Sequence, residues 1–254
     1  MKYKITGNCP MCGNPLKSAI LPNGKAIPMS CECERKERRA IEDKRASVER
    51  KLDIKTAEKQ FLETAGERYK DKTLENYVLD KNGKDKDHYR LIKAMANNFE
   101  KFAEKGTGGL VFGGYGCGKT HLEVGLGRKL IQKGYSVKLF DTSALYTKYM
   151  SAYSWRLAYS PTDVIEDACD ADLLILDDMG VNTVSSDKDN FVKFIYGLIN
   201  YRYNQKKPVQ SAFKNSPYFC PLFFHNFSDL SAEGKFFLNF CRHCQPVSEF
   251  HIHN

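Results

Sequence analysis

Apolar positions along this chain change their spacing several times, and each change predicts an element. Residues 34–65 are rich in charge and helix formers and hold no proline or glycine; Ile41, Val48 and Leu52, seven and four apart, make a thin apolar stripe. One long helix is expected there, ended by Gly66. It reads either as a solvated helix laced with ion pairs or as a docking helix for a partner protein. Residues 74–82 are linker-like, and residues 88–105 read as a helix through Leu91, Ile92, Met95, Phe99 and Phe102. Leu110-Val111-Phe112 is a short apolar run fit for a buried strand. A helix over 120–133 follows, with Leu122, Leu126 and Leu130 on one face. A second strand is expected at 136–140, then helices from Thr142 and from Pro161 to Cys169. Leu173 to Leu176 are four apolar residues in a row, the pattern of a strand buried on both faces. A helix over 190–204 turns Phe191, Phe194, Ile195, Leu198 and Ile199 inward, and Lys206-Lys207-Pro208-Val209 should begin one more strand. After Val209 neither period survives, although nine of the sixteen phenylalanines and four of the six histidines lie there.

Strand, glycine-rich loop and helix meet at GGYGCGKT, residues 113–120. It fits Gly-x-x-x-x-Gly-Lys-Thr, and the strand before and helix after are the context that gives the pattern meaning. A polyphosphate has to be wrapped by inward-pointing backbone N–H groups. Glycines at 113, 114, 116 and 118 let the chain turn where a side chain would clash. The start of the next helix adds partial positive charge. Lys119 can reach the β- and γ-phosphates, and the Thr120 hydroxyl can ligate magnesium. The candidate nucleotide-binding set runs through Gly113, Gly114, Tyr115, Gly116, Cys117, Gly118, Lys119, Thr120 and His121.

Asp177 and Asp178 end the apolar run Leu173–Leu176. Ligands of open α/β sheets collect at the carboxyl ends of the strands. Asp177 is therefore expected to hold magnesium with Thr120, and Asp178 to orient and partly deprotonate the attacking water. Lys119, Asp177 and Asp178 form the candidate catalytic set for nucleoside-triphosphate hydrolysis.

Cys9 and Cys12 form a Cys-x-x-Cys pair followed by Gly13, and Cys31 and Cys33 follow as Cys-x-Cys. Four thiolates complete a tetrahedral zinc shell of the structural kind. A redox dithiol is the competitor, but nothing around Cys9 reads as a thioredoxin-like βαβ unit. Residues 149–159 interleave Tyr149, Tyr153, Trp155 and Tyr159 with Arg156, beside Lys148. Such a stretch can stack the bases of a single strand, and core packing explains it equally.

The net charge of +8 is compatible with a nucleic-acid partner. No apolar run approaches the roughly 20 residues of a membrane span, and the N-terminus lacks the apolar core of a secretory signal. A cytoplasmic protein is expected, so nine cysteines point to metal ligands or buried thiols more than to disulfides.

The cysteine cluster, the charged helix, GGYGCGKTHL, DLLILDDMG and INYRYNQKKPV, in this order, resemble the bacterial and phage replicative helicase loaders of the DnaC and DnaI type. These are AAA+ ATPases close to the ATP-binding helper proteins of some transposons. The resemblance implies a P-loop NTPase fold of three αβα layers about a parallel sheet, with an N-terminal zinc-knuckle and helical region. It implies a magnesium-dependent ATPase of DNA replication that loads or remodels a replicative helicase on single-stranded DNA and self-associates through its core. The segment near Tyr77 to Leu79 would lie by the adenine. The expected organisation is a cysteine module with charged helix at 1–66, an AAA+ core at 67–209 and an aberrant tail at 210–254. The alternatives are a transposition helper ATPase and a nucleotide-organised binding module without effective hydrolysis.

The tail departs from the resemblance. A polar sensor residue and an arginine finger are expected after Val209, yet neither Asn215 nor Arg242 stands in the right context. A frameshift or truncated reading frame near Gln210 would produce this break. It would leave the sheet without its fifth strand and hydrolysis impaired, and would make the cluster of Cys241, Cys244, His251 and His253 an accident of composition.

Overall fold

The structure, a computed structural model, describes residues 2–81, 83, 85–154, 156, 158–179, 188–214 and 236–239. Two compact units divide at Lys55/Thr56. The division falls inside the long helix rather than at residue 66, because the helix's last turns pack with the second unit's own residues.

The first unit opens with strands absent from the sequence reading. β1 (Lys2–Asn8), β2 (Pro15–Ile20) and β3 (Ala26–Pro28) form an antiparallel sheet in that order. The turn joining β1 to β2 is the Cys-x-x-Cys-Gly segment. It is closed by Cys9 N–H on Asn14 O at 2.7 Å and Gly13 N–H on Cys9 O at 2.9 Å. Gly13 sits at φ 71°, left-handed backbone that suits glycine. Among the described residues up to Lys55, only Cys9, Ser18 and Cys31 are buried. The helix α1 (Glu32–Ala65) follows, and Ile41, Val48 and Leu52 are exposed along it.

The second unit is a parallel sheet. Its strands β4 (Gly108–Gly113), β5 (Val137–Asp141), β6 (Leu173–Met179), β7 (Val209–Lys214) and β8 (Phe236–Asn239) are ordered β5-β6-β7-β4-β8. The expected helix over 88–105 is two, α2 (Lys86–Asn97) and α3 (Phe99–Lys105), broken at Asn98. α4 (Lys119–Gln132), α5 (Thr142–Ser151), α6 (Pro161–Cys169) and α7 (Lys188–Asn204) complete it. Parallel neighbours need crossovers, and the helices supply them on both faces. Leu174 and Leu176 point to the core made by α5, α6 and α7. Leu173 and Ile175 alternate to the other face, where α4 lies. Arg202, fully buried near the end of α7, donates to the carbonyls of Cys169, Ala171, Asp172 and Pro208 at 2.8–3.1 Å. It thereby ties the entries of β6 and β7 together.

The expected loss of pattern after Val209 is corrected for its first residues. Gln210 to Lys214 continue β7, which lies in the middle of the sheet between β6 and β4. Val209, Ala212 and Phe213 are buried as a central strand requires. Gln210 and Ser211 break the apolar run, and their buried side-chain polar atoms lack hydrogen-bond partners. That is why the period failed in the sequence. The fifth strand expected to be missing is present as β8, paired parallel with β4. Asn215, Arg242, Cys241, Cys244, His251, His253 and the rest of the expected tail lie outside the described residues.

Candidate nucleotide site

The loop 113–120 leaves the carboxyl end of β4 and enters α4. Gly116 and Gly118 sit at φ 73° and 87°. At Gly118 a side chain is excluded twice over, because a Cβ there would also fall 2.8 Å from the Tyr77 ring. Lys119 is buried. Its Nζ donates to the carbonyls of Gly113 at 2.8 Å and Gly114 at 2.9 Å, with Cys117 Sγ at 3.7 Å. Its ammonium thus lies across the loop and is held by neutral acceptors. Tyr115 and Cys117 are exposed.

The two sequence motifs meet where β6 ends. Thr120 Oγ1 donates to Asp177 Oδ2 at 2.8 Å, and the Asp178 N–H donates to Asp177 Oδ1 at 2.9 Å. Thr142 Oγ1 donates to the Asp177 carbonyl at 3.1 Å. The pairing of β6 with β7 shifts register between Leu176 and Met179, and Asp178 takes φ 54°. The strand therefore loosens on its β7 side at the acids, while Asp177 keeps its pairing with Asp141 of β5. A left-handed aspartate is tolerated but costs energy. Burial raises the Asp177 carboxyl above the usual carboxylate range, opposed by the Thr120 hydroxyl.

Glu123, one turn into α4, was missing from the expected site. It is fully buried, with the Asp177 carboxyl as a neighbour. Burial first, then the charge of Asp177, push its carboxyl well above the usual range. Its spacing four residues after Lys119 puts the two on one face of α4, a signal the sequence did offer, whereas Asp177 is brought to it only by the fold.

Beside the loop is a cavity of about 520 Å³ lined by Tyr77, Asp85, His88, Gly118, Lys119 and His121, among others. Tyr77 donates to Asp85 Oδ2 at 2.7 Å, reaches Cys117 O at 3.3 Å and stacks on Tyr89 with centroids 5.7 Å apart. His121 turns away from the loop toward Thr73 and Asn76.

The four N-terminal cysteines converge. Their Sγ atoms lie within 4.8 Å of one another, with Cys9–Cys33 at 3.5 Å and Cys12–Cys31 at 3.4 Å. A Zn–S bond of about 2.3 Å sets tetrahedral sulfur separations at roughly 3.8 Å, so the cluster fits one ion. The backbone N–H groups of Met11 and Cys12 pull the Cys9 thiol down to about 7. The other thiols, Cys31 foremost, push Cys33 up.

The aromatic stretch that begins in α5 divides. Tyr146 and Tyr149 pack on Phe191 and Phe194, with Tyr149 to Phe194 centroids 4.5 Å apart. Tyr153 is exposed, its hydroxyl 2.8 Å from that of Tyr149, and Lys148 lies 5.8 Å from the Tyr159 ring centre. Trp155 lies outside the described residues. Among the described residues no helix is long and apolar enough to cross a membrane.

A parallel sheet in this order, with a phosphate loop leaving the strand beside β7 and acids at the end of β6, defines a P-loop NTPase of the AAA+ type. The chain belongs to the family of IstB-like ATP binding proteins, whose family model matches residues 48–214. The match ends with β7. The chain is also similar to the replicative helicase loader DnaC of Buchnera aphidicola subsp. Acyrthosiphon pisum, 28% identical over 119 residues, 47% of this chain and 47% of that protein. It thus spans about half the length of that relative. Among solved structures it resembles a DnaC helicase loader, at 24% identity and TM-score 0.57 over 68% of this chain and 98% of that one. It also resembles a DnaI structure, at 16% identity and TM-score 0.50 over 64% and 82%. The last two likenesses concern the fold.

Proposed function

We propose that the chain is a magnesium-dependent ATPase of DNA replication that loads or remodels a replicative helicase on single-stranded DNA. The observation that carries the ATPase reading is the 2.8 Å contact of Thr120 with Asp177, which joins two motifs 57 residues apart at the mouth of the phosphate loop. A hydroxyl and a carboxylate so placed are the donor set for magnesium. The ion would supply charge neutralisation to the phosphates. Lys119, held by two neutral carbonyls, gains charged acceptors when a triphosphate enters. Asp178, next to Asp177 near the end of β6, would orient the attacking water. Cys9, Cys12, Cys31 and Cys33 would hold a structural zinc ion. The helicase partner is proposed from similarity to the DnaC loader. A transposition helper ATPase is the alternative reading, and the cysteine cluster favours the loader.

Titration with Mg·ATP tests the site. Wild type should bind, and Lys119→Ala should weaken binding at least about a hundredfold, the loss expected when charge-assisted bonds to phosphate go. Unchanged affinity in the variant refutes the site. Co-purification with a hexameric replicative helicase, set against a transposase and run with and without ATP, tests the partner. Capture by the transposase alone would overturn the loader reading.

A further inference from the structure

We propose that His121 is a positioning residue which locks the base-side wall of the nucleotide cavity to the phosphate loop. Preference for a nucleotide over a bare triphosphate then depends on it. The inference rests on the nucleotide reading above and deepens it.

The wall is formed by Lys72, Asn76, Tyr77, Val78, Asp80 and Asp85, and its first part is a closed turn. Asn76 Nδ2 donates to Asp71 O at 2.5 Å, Asn76 Oδ1 accepts from the Thr73 N–H at 2.9 Å, and the Asn76 N–H donates to Thr73 Oγ1 at 3.2 Å. These bonds fix which end of the Asn76 amide is the oxygen. His121 Nε2 then faces two acceptors, Thr73 O at 2.9 Å and Asn76 Oδ1 at 3.0 Å. Only a protonated Nε2 satisfies both, so the tautomer is set by the wall. Burial lowers the imidazole's affinity for a second proton, with Lys72 adding to the effect.

The imidazole belongs to the first turn of α4, the turn that carries Lys119 and Thr120. Wherever that turn goes, Thr73 and Asn76 go with it. Tyr77 provides the other fastening. Its ring meets His121 edge-on at 5.1 Å, lies on Gly118 and reaches Cys117 O. Together these bonds hold the side of the cavity that carries Tyr77 and its partner Asp85 at a set distance from the loop that takes the phosphates. A base bound against that side is oriented for the phosphates at no further ordering cost. A ligand that is all phosphate never uses the wall.

The test compares Mg·ATP with magnesium tripolyphosphate by calorimetric titration of the full chain. His121→Ala should weaken ATP about tenfold and tripolyphosphate by less than about twofold, the loss of roughly one hydrogen-bonded anchor. Asn76→Ala, which leaves the histidine in place, should move the ratio in the same direction. His121→Gln, which can still donate a proton, should recover most of the loss. Equal losses for both ligands mean a general structural role and overturn the inference. So does unchanged ATP affinity in the alanine variants. If His121→Ala fails to fold, Asn76→Ala and His121→Gln decide by the same ratio. Failure of the underlying reading looks different: wild type binds neither ligand, or Lys119→Ala leaves tripolyphosphate binding unchanged, and the inference falls with it.

Discussion

Glu123 lies fully buried within reach of the charges of Lys119 and Asp177. Its carboxyl titrates well above the usual range in the folded chain, so it carries a proton when the unfolded chain would have lost it. The sign follows from linkage. Below about pH 4.5 both states are protonated and the group costs nothing through ionisation; above that, the unfolded state is favoured increasingly until the folded carboxyl itself ionises. Glu123→Gln, a neutral near-isostere, removes that dependence. Without nucleotide or magnesium, the variant should match wild type near pH 5 and exceed it by at least about 1 kcal/mol near pH 8, since a tenfold difference in proton affinity between the two states is worth about 1.4 kcal/mol. Urea unfolding at the two pH values measures it; a constant gap between the proteins would refute the assignment. At this scale the sequence was readable where a motif fixes a role by spacing, as at Lys119, Thr120 and Asp177. It was silent at Arg202, whose carbonyl partners come mostly from other elements, and at the approach of Asp177 to Glu123, which only the fold brings about. At Tyr149 and Tyr153 the spacing allowed both core and surface, and the fold sends one each way.

α4 shows how an element can be predicted correctly and still be half understood. Its leucine face is legible from the period of Leu122, Leu126 and Leu130, and all three are buried. Its glycines read as a cost to the helix. The structure supplies their reason, because a Cβ on Gly127 would stand 2.2 Å from Phe61 Cζ on the last turns of α1. The same helices are joined by Arg128 to Glu58 at 2.7 Å, a pair only one-fifth exposed. Gly127→Ala should therefore destabilise the chain by about 1–2 kcal/mol, the overpacking cost less the gain in helix propensity. In a Phe61→Ala background the same substitution should be neutral or stabilising, since the ring it would strike is gone. A double-mutant cycle by denaturant unfolding reads the sign change, and additive effects would show that the close approach is not what selects glycine. β7 is the opposite case. Its middle position demands an apolar strand, and Gln210 and Ser211 hid it.

Across the whole molecule, the two units are stabilised by different means. The second has a continuous apolar core on both faces of its sheet, and the phosphate-loop context and the acid-ended strand were legible from the residues, while the parallel three-layer fold came from the resemblance they carry. The first has three short strands and no large buried apolar side chain among its described residues. Its sheet was illegible because strand alternation marks a buried face, and here there is scarcely one to bury. Tyr3, Ile5 and Ile27 stay largely exposed. So small a body lacks the hydrophobic burial to fold unaided, and binding energy from a metal is the physical substitute. If zinc on Cys9, Cys12, Cys31 and Cys33 supplies it, a strong chelator or Cys12→Ser should abolish amide-exchange protection across β1, β2 and β3. The same treatment should leave protection of β6 and the affinity for Mg·ATP within about twofold, because the core of the second unit has its own burial to rely on. Protein purified without chelator should carry one zinc per chain. Protection of β1–β3 that survives metal removal would mean that the four thiols merely sit together, and that the sheet draws its stability from elsewhere.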